Sequence, residues 1–325
     1  MLLLKKGEIK KVFSMHDAIE ADKECYKAFS EGKFDVPLRA VINGSEGNFL
    51  FMPAYSEEMK AAGLKIVNIM PGNPAKGLPA SIGQVLLIDG ETGVVKALMD
   101  GSYITALRTA AASGAAFDLF GIEDASVGAL IGTGSQAMCQ LEAMFSGRNL
   151  REVRVAARNF EKTKAFAEQA AKELGHYGAE IIPMEDTNEA VDGADLITLV
   201  TVSGTPVCSA DYFKPGAVIS AVGAYTYDMQ ELDPAVFDKC GKIYFDSEDA
   251  VLSESGDILR PLDEGTLSRE QFTGDIGDFI LGKIPGRESD DEIIVFENVV
   301  IGALDLYTAQ KVYDKAMKAG IGLTW

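Results

Sequence analysis

Six consecutive residues, Gly132-Thr133-Gly134-Ser135-Gln136-Ala137, have the types and spacing to cradle a phosphate. Each small residue in this GxGxxA run has a separate job. Gly132 permits a tight turn, Gly134 lets the backbone approach a pyrophosphate, and Ala137 lets a helix pack closely on a strand. The first turn of that helix would add partial positive charge toward the anion. Sites selective for NAD usually place an acid about 20 residues further on, where it meets the ribose 2′-OH. Here the position reads Ala157-Arg158-Asn159. A guanidinium with no carboxylate suits a 2′-phosphate, so NADP(H) is expected in preference, with NAD(H) possible. The plain alternatives are a structural glycine turn and a solvated Arg158. The four cysteines, Cys25, Cys139, Cys208 and Cys240, lie far apart without a CxxC pair. Neither histidine, His16 or His176, has an evident partner, so no metal is expected and free thiols are.

The elements around the glycine loop give it meaning. ASVGALIG reads as a buried strand before the loop and QAMCQLEAMF as a helix after it, stopped by Gly147. EVRVAA, AEIIPM, DLITLVTV, GAVISAVG and KIYFDS follow as strands, with the helix FEKTKAFAEQAAKEL between the first two. Strand and helix alternating at this spacing predict a doubly wound, Rossmann-type parallel α/β sheet. Upstream the pattern differs. After a helix-like stretch from Ala18 to Phe29, short apolar runs such as GNFLFMPAY and GQVLLIDG are broken by turns, notably IMPGNPAKGLPASIG. A smaller α+β unit is expected there, followed by the Ala-rich helix ITALRTAAASGAAFDLF. After the strand EIIVF, residues Val299 to Lys318 read as one long closing helix.

Length and composition agree with two globular domains: 325 residues, 47% apolar and 24% charged. With 30 Lys and Arg against 49 Asp and Glu, the net charge of -19 argues against nucleic acid. Residues 246–297 hold 15 acids and 4 bases, expected to form a solvated acidic face. No run reaches the ~18 apolar residues of a membrane span. MLLLKK places its short apolar run ahead of the lysines, the reverse of a signal peptide. A cytoplasmic protein without membrane contact is expected.

Several motifs in one order carry a wider resemblance: Arg39, Lys65, PGNPAKGLP, Gly101 to Ala111, GTGSQA, GAYTYDMQELD, SESGDIL and IIVFENVVIGALDL. Together they resemble the ornithine cyclodeaminase/mu-crystallin family along nearly the whole chain. The resemblance implies hydride transfer between a nicotinamide and the α-carbon of an amino or imino acid, in a cleft between two domains. It implies residues 1–115 with 303–325 as the substrate-binding and dimerisation domain, and residues 116–302 as the dinucleotide-binding domain. A homodimer paired through the first-domain sheets would follow. Arg39, Lys65 and Arg108 match positions that grip the substrate carboxylate, which suits a planar guanidinium and a mobile ammonium. Asp305 matches an acid at the domain junction, with helix capping as the plain alternative. Thr201, Val222 and Gly223 match positions beside the cofactor.

One departure matters. Cyclodeaminases and alanine dehydrogenases of this family carry Gly-Ala-Asp or Gly-Gly-Asp, whose Asp is the acid/base. Here Gly223-Ala224 is followed by Tyr225. A phenol, with a pKa near ~10, is a poor base at neutral pH but can donate a proton or hydrogen bond. The expected activity is therefore an NAD(P)H-dependent reductase of ketimines or cyclic imino acids, or a related amino-acid dehydrogenase, with Lys65, Arg108 and Tyr225 at the reacting centre. The alternatives are a cyclodeaminase-type lyase using NAD⁺ catalytically, and a non-catalytic protein that retains cofactor and binds a small ligand. If Tyr225 were a spectator, Asp228 or Glu231 would be the candidate acid.

Overall fold

The computed structural model describes residues 1–37 and 39–325, which form two compact units, Met1–Arg108 with Ile301–Trp325, and Thr109–Val300. The division falls inside one continuous helix, Gly101–Phe120, after Arg108 and not after residue 115. The reason is local. Asp100 caps the helix by accepting from Tyr103 N–H at 2.9 Å, and Ser102 Oγ accepts from Gly83 N–H at 2.8 Å in the first unit's sheet. From Thr109 onward the partners change: Thr109 O accepts from Gln140 and Ser113 Oγ from Ser220.

The first unit is built on strands β1 (Leu2–Leu4), β2 (Ala40–Asn43), β3 (Asn48–Ser56), β4 (Ala61–Ile69), β5 (Ser81–Asp89) and β6 (Val95–Asp100). Strands β2 to β6 form an antiparallel meander, β1 joins β6 in parallel, and the strand Leu323–Thr324 pairs antiparallel with β1. The terminal ammonium of Met1 donates to Trp325 O at 3.1 Å. Side chains alternate across this sheet. Gly63, Lys65, Val85 and Leu87 take the face covered by the helix Gly302–Ala319, while Leu64, Ile66 and Leu86 take the opposite, half-buried face. The helix expected from Ala18 begins at Met15 because Ser14 and Asp17 exchange capping hydrogen bonds.

In the second unit, β7 (Val127–Ile131), β8 (Glu152–Ala156), β9 (Glu180–Met184), β10 (Leu196–Leu199), β11 (Val218–Ala221), β12 (Cys240–Phe245), β13 (Gly274–Asp275) and β14 (Ile293–Glu297) form one parallel sheet. Its order is β13-β12-β14-β11-β10-β7-β8-β9. The chain winds outward from β7 in both directions, so the switch point lies between β7 and β10, where such sheets bind ligands. β10, β11 and β14 are buried along their whole length, which explains their uninterrupted apolar runs. The closing helix starts at Gly302 and not at Val299, because Asp246 Oδ2 accepts from Val300 N–H at 2.7 Å and Val300 takes φ 63. A β-branched residue in the left-handed region ends any helix there.

Candidate active site

In the first unit, three charged side chains meet in the interior. Lys65 on β4, Arg108 on the helix Gly101–Phe120 and Asp305 on the helix Gly302–Ala319 are 3%, 4% and 3% exposed. Lys65 Nζ lies 2.5 Å from Asp305 Oδ2, and Arg108 Nε donates to Asp305 Oδ1 at 2.9 Å. A glycine makes this possible. Gly63 shares Lys65's face of β4, and a Cβ there would sit 3.1 Å from Leu306 Cδ1. Without that Cβ the closing helix lies close to the strand, bringing Asp305 within reach of Lys65. Asp305 also stands in the first turn of its helix, where the dipole favours an anion.

The electrostatics follow from burial. Desolvation pushes the Lys65 ammonium down to about 8, helped by the charges of Arg108 and Arg39 and opposed by Asp305. Burial would raise the Asp305 carboxyl, but Arg108 and then Lys65 outweigh it and hold it below the usual range. Asp22, on the helix Met15–Ser30, is fully buried with no hydrogen-bond partner for either oxygen among the described residues. Burial pushes its carboxyl well above the usual range, against the pull of Arg108. Burial thus opposes the charge of Asp22, while Lys65 and Arg108 share the Asp305 carboxylate. Arg39 lies half-buried just before β2.

In the second unit the glycine loop follows β7 and opens the helix Ala137–Gly147. Gly132 has φ 119, its N–H donates to Ala156 O at 2.9 Å, and a Cβ would meet Val200 O at 2.5 Å. Gly134 and Ser135 are exposed, Thr133 and Gln136 partly so, and a Cβ on Gly134 would touch nothing within 4 Å. Ala137 is fully buried. No side chain caps the helix, and Gln136 Oε1 is buried without a partner among the described residues. Open backbone donors at an uncapped helix start, with space over Gly134, fit a pyrophosphate. Arg158 is exposed just beyond β8.

The ends of β10 and β11 carry the other expected cofactor residues. Thr201 donates its N–H and hydroxyl to Glu231 Oε2 at 2.6 and 2.8 Å, and Val222 and Gly223 donate N–H to Glu231 Oε1 at 3.2 and 2.5 Å. Both Glu231 oxygens are thus filled, which fits a structural carboxylate and not a proton donor. Asp228 is exposed. Tyr225 is partly exposed, and its hydroxyl makes no hydrogen bond among the described residues. Most acids of the stretch 246–297 are exposed or partly so, as expected of a solvated face, but Asp246, Asp257 and Glu297 are buried.

The sequence reading missed Asp22 and the clamp made by Glu231. A signal for the first existed, since Asp22 falls between the buried Ala18, Ile19, Cys25 and Tyr26 at helical spacing.

The profile of the ornithine cyclodeaminase/mu-crystallin family matches residues 1–320. A Delta(1)-pyrroline-2-carboxylate reductase of Bacillus cereus is 34% identical over 324 residues, covering 99% of this chain and 98% of that protein. Among solved structures, the Thermococcus litoralis Delta(1)-pyrroline-2-carboxylate reductase, in complex with NADH and L-proline, superposes with a TM-score of 0.93 at 35% identity over 100% of both chains. An archaeal alanine dehydrogenase dimer with bound NAD gives 0.89 at 32% identity, over 99% of this chain and 98% of that one.

Proposed function

The chain belongs to the ornithine cyclodeaminase/mu-crystallin family, and we propose that it is a reductase of a five-membered cyclic imine carboxylate that prefers NADPH. Its broader class is that of its relatives, nicotinamide-dependent oxidoreduction of imino and amino acids. The observation that carries the narrower reading is the buried Lys65–Asp305–Arg108 cluster, which sets an ammonium and a guanidinium side by side, the donor pair of a carboxylate grip. A reduced nicotinamide, when bound, supplies a hydride to the α-carbon. The C=N bond becomes CH–NH, and the nitrogen takes up a proton. Lys65 and Arg108 would hold the carboxylate and so aim the α-carbon. Tyr225, a phenol where an Asp would be needed to deprotonate an amine, suits a preformed imine. Glycines 132 and 134, the helix start at Ala137, Thr201, Val222 and Gly223 would hold the dinucleotide, and Arg158 its 2′-phosphate.

A homodimer is part of this reading. Leu64, Ile66 and Leu86 line one face of the first sheet, and Val41 and Ile42 on edge strand β2 are 46% and 58% exposed. A second copy of the same face is the occupant we assign to it.

The deciding assay follows NADPH and NADH oxidation with pyrroline-2-carboxylate, together with proline and ammonia release from ornithine. Imine turnover, tighter binding of NADPH than NADH and no proline from ornithine are expected. Arg158→Ala should weaken NADPH more than NADH by about 1.5–3 kcal/mol. Proline formation at an enzymatic rate would refute the argument from Tyr225, and equal affinity for the two cofactors would refute the one from Arg158.

A further inference from the structure

We propose that Glu231 is a positioning residue for the nicotinamide cofactor: one carboxylate that locks the loops after β10 and β11 into a single rigid edge. The assignment rests on the oxidoreductase reading, because it takes those loops as the cofactor's seat.

Four donors from two separate loops converge on the two Glu231 oxygens, at 2.5 to 3.2 Å. Nothing can stand between the loops. A Cβ on Gly223 would lie 1.9 Å from Thr201 O and 2.7 Å from Glu231 Oε2. The tie also reaches the glycine loop, since Gly132 rests against Val200 O, one residue before Thr201. Three loops at the carboxyl ends of β7, β10 and β11 therefore share one support, at the switch point of the sheet.

Glu231 is itself held. Its own N–H and that of Leu232 donate to Asp257 Oδ1 at 2.8 and 2.9 Å. Asp257 stands in the first turn of the helix Gly256–Glu264, whose N-cap Ser255 accepts from Asp257 N–H and donates to Glu297 Oε1 at 2.7 Å. MQELD, SESGDIL and IIVFEN are thus three parts of one support. Their charge states divide accordingly. Glu231 accepts on both oxygens, which only a carboxylate does four times over. Asp257 Oδ2 and Glu297 Oε2 each lack a partner among the described residues, and burial pushes both carboxyls up.

The experiment compares the full-length wild type with Glu231→Gln and with the milder Thr201→Val, which removes only the hydroxyl. Two kinds of readout are taken: amide hydrogen exchange at Thr201 and Gly223 without cofactor, since the Val222 N–H is also held by Leu199 O, and cofactor affinity, by fluorescence titration with NADPH and NADH and by steady-state KM. In Glu231→Gln the two amides should exchange at least tenfold faster, and the KM for nicotinamide should rise at least tenfold while the KM for the imino acid stays within twofold. Thr201→Val should move both readouts the same way but less. Unchanged exchange or unchanged cofactor affinity in Glu231→Gln would overturn the proposal, as would an equal rise in both KM values. Should Glu231→Gln fail to fold, an unmoved Thr201→Val would overturn it alone. A wild-type chain that bound neither nicotinamide would overturn the oxidoreductase reading first, whatever the exchange data say.

Discussion

Lys65 carries its charge where charge is hard to keep, and that sets a testable pH limit. Its ammonium is pushed down to about 8 by burial first and Arg108 second, with Asp305 opposing. Below that pH it is a cation that can meet a carboxylate, and above it a neutral amine that cannot. The logarithm of kcat/KM for the imino acid should therefore fall above about pH 8, and Lys65→Arg should move that limb upward. Lys65→Met should raise the KM about 100-fold at pH 7, or ~2.7 kcal/mol, while leaving cofactor affinity unchanged. A flat profile to pH 10, or a normal KM in Lys65→Met, would remove Lys65 from the carboxylate grip. Lys65 and Arg108 were legible in the sequence through their motif context. Asp305 was legible only as an acid in the right place, because its pairing with Arg108 spans 197 residues. Asp22 was missed because a lone acid on an amphipathic helix reads as surface unless its angular position is checked.

The strands and helices of the second unit place buried acids at the ends of β12 and β14 and at the start of the helix Gly256–Glu264, with a consequence for stability. Burial, then the neighbouring Glu231 charge, pushes Asp257 up to about 8, and burial pushes Asp246 to about 7. Folded chains then hold protons that unfolded chains, titrating near ~4, have lost. This contribution is fully present below about pH 4 and is lost as pH rises toward 8. The melting temperature should fall between pH 5 and pH 8, and Asp257→Asn, a permanently neutral isostere, should fall by several degrees less. A variant whose curve ran parallel to the wild type would contradict a protonated Asp257. At this scale the sequence was informative about element order, because alternation and apolar runs report burial directly. It did not single out Asp246, Asp257 and Glu297 within the otherwise largely solvated stretch 246–297, because a count of acids cannot distinguish those paired inside from those facing water. In the first unit, Gly63 tests the strand–helix distance. Gly63→Ala would crowd Leu306 and cost about 1–3 kcal/mol, with a raised substrate KM and unchanged cofactor binding.

For the whole molecule, the half-buried apolar face of the first sheet is where the proposed dimer would pair. Leu86→Glu puts a charge at the centre of that face, and light scattering should then report a particle near the 34.8 kDa of one chain. The wild type should weigh twice that, and a wild-type monomer would refute the dimer. Two copies that each carry -19 repel, so association should tighten as salt rises. The face itself was not readable from composition, because half-buried leucines look the same in a sequence whether water or a second chain covers them. The two-segment make-up of the first unit bears on something else, the order of synthesis. Residues 109–300 leave the ribosome as one uninterrupted domain, while the first unit waits for residues 301–325 to be completed. At 5–20 residues per second, Asp305 arrives roughly 10–40 s after its partner Arg108 does. Through that interval Lys65 and Arg108 lack Asp305, and the sheet lacks the helix that covers it. The nascent first unit is then an open, sticky surface, and it is in that window that a holding chaperone would matter most.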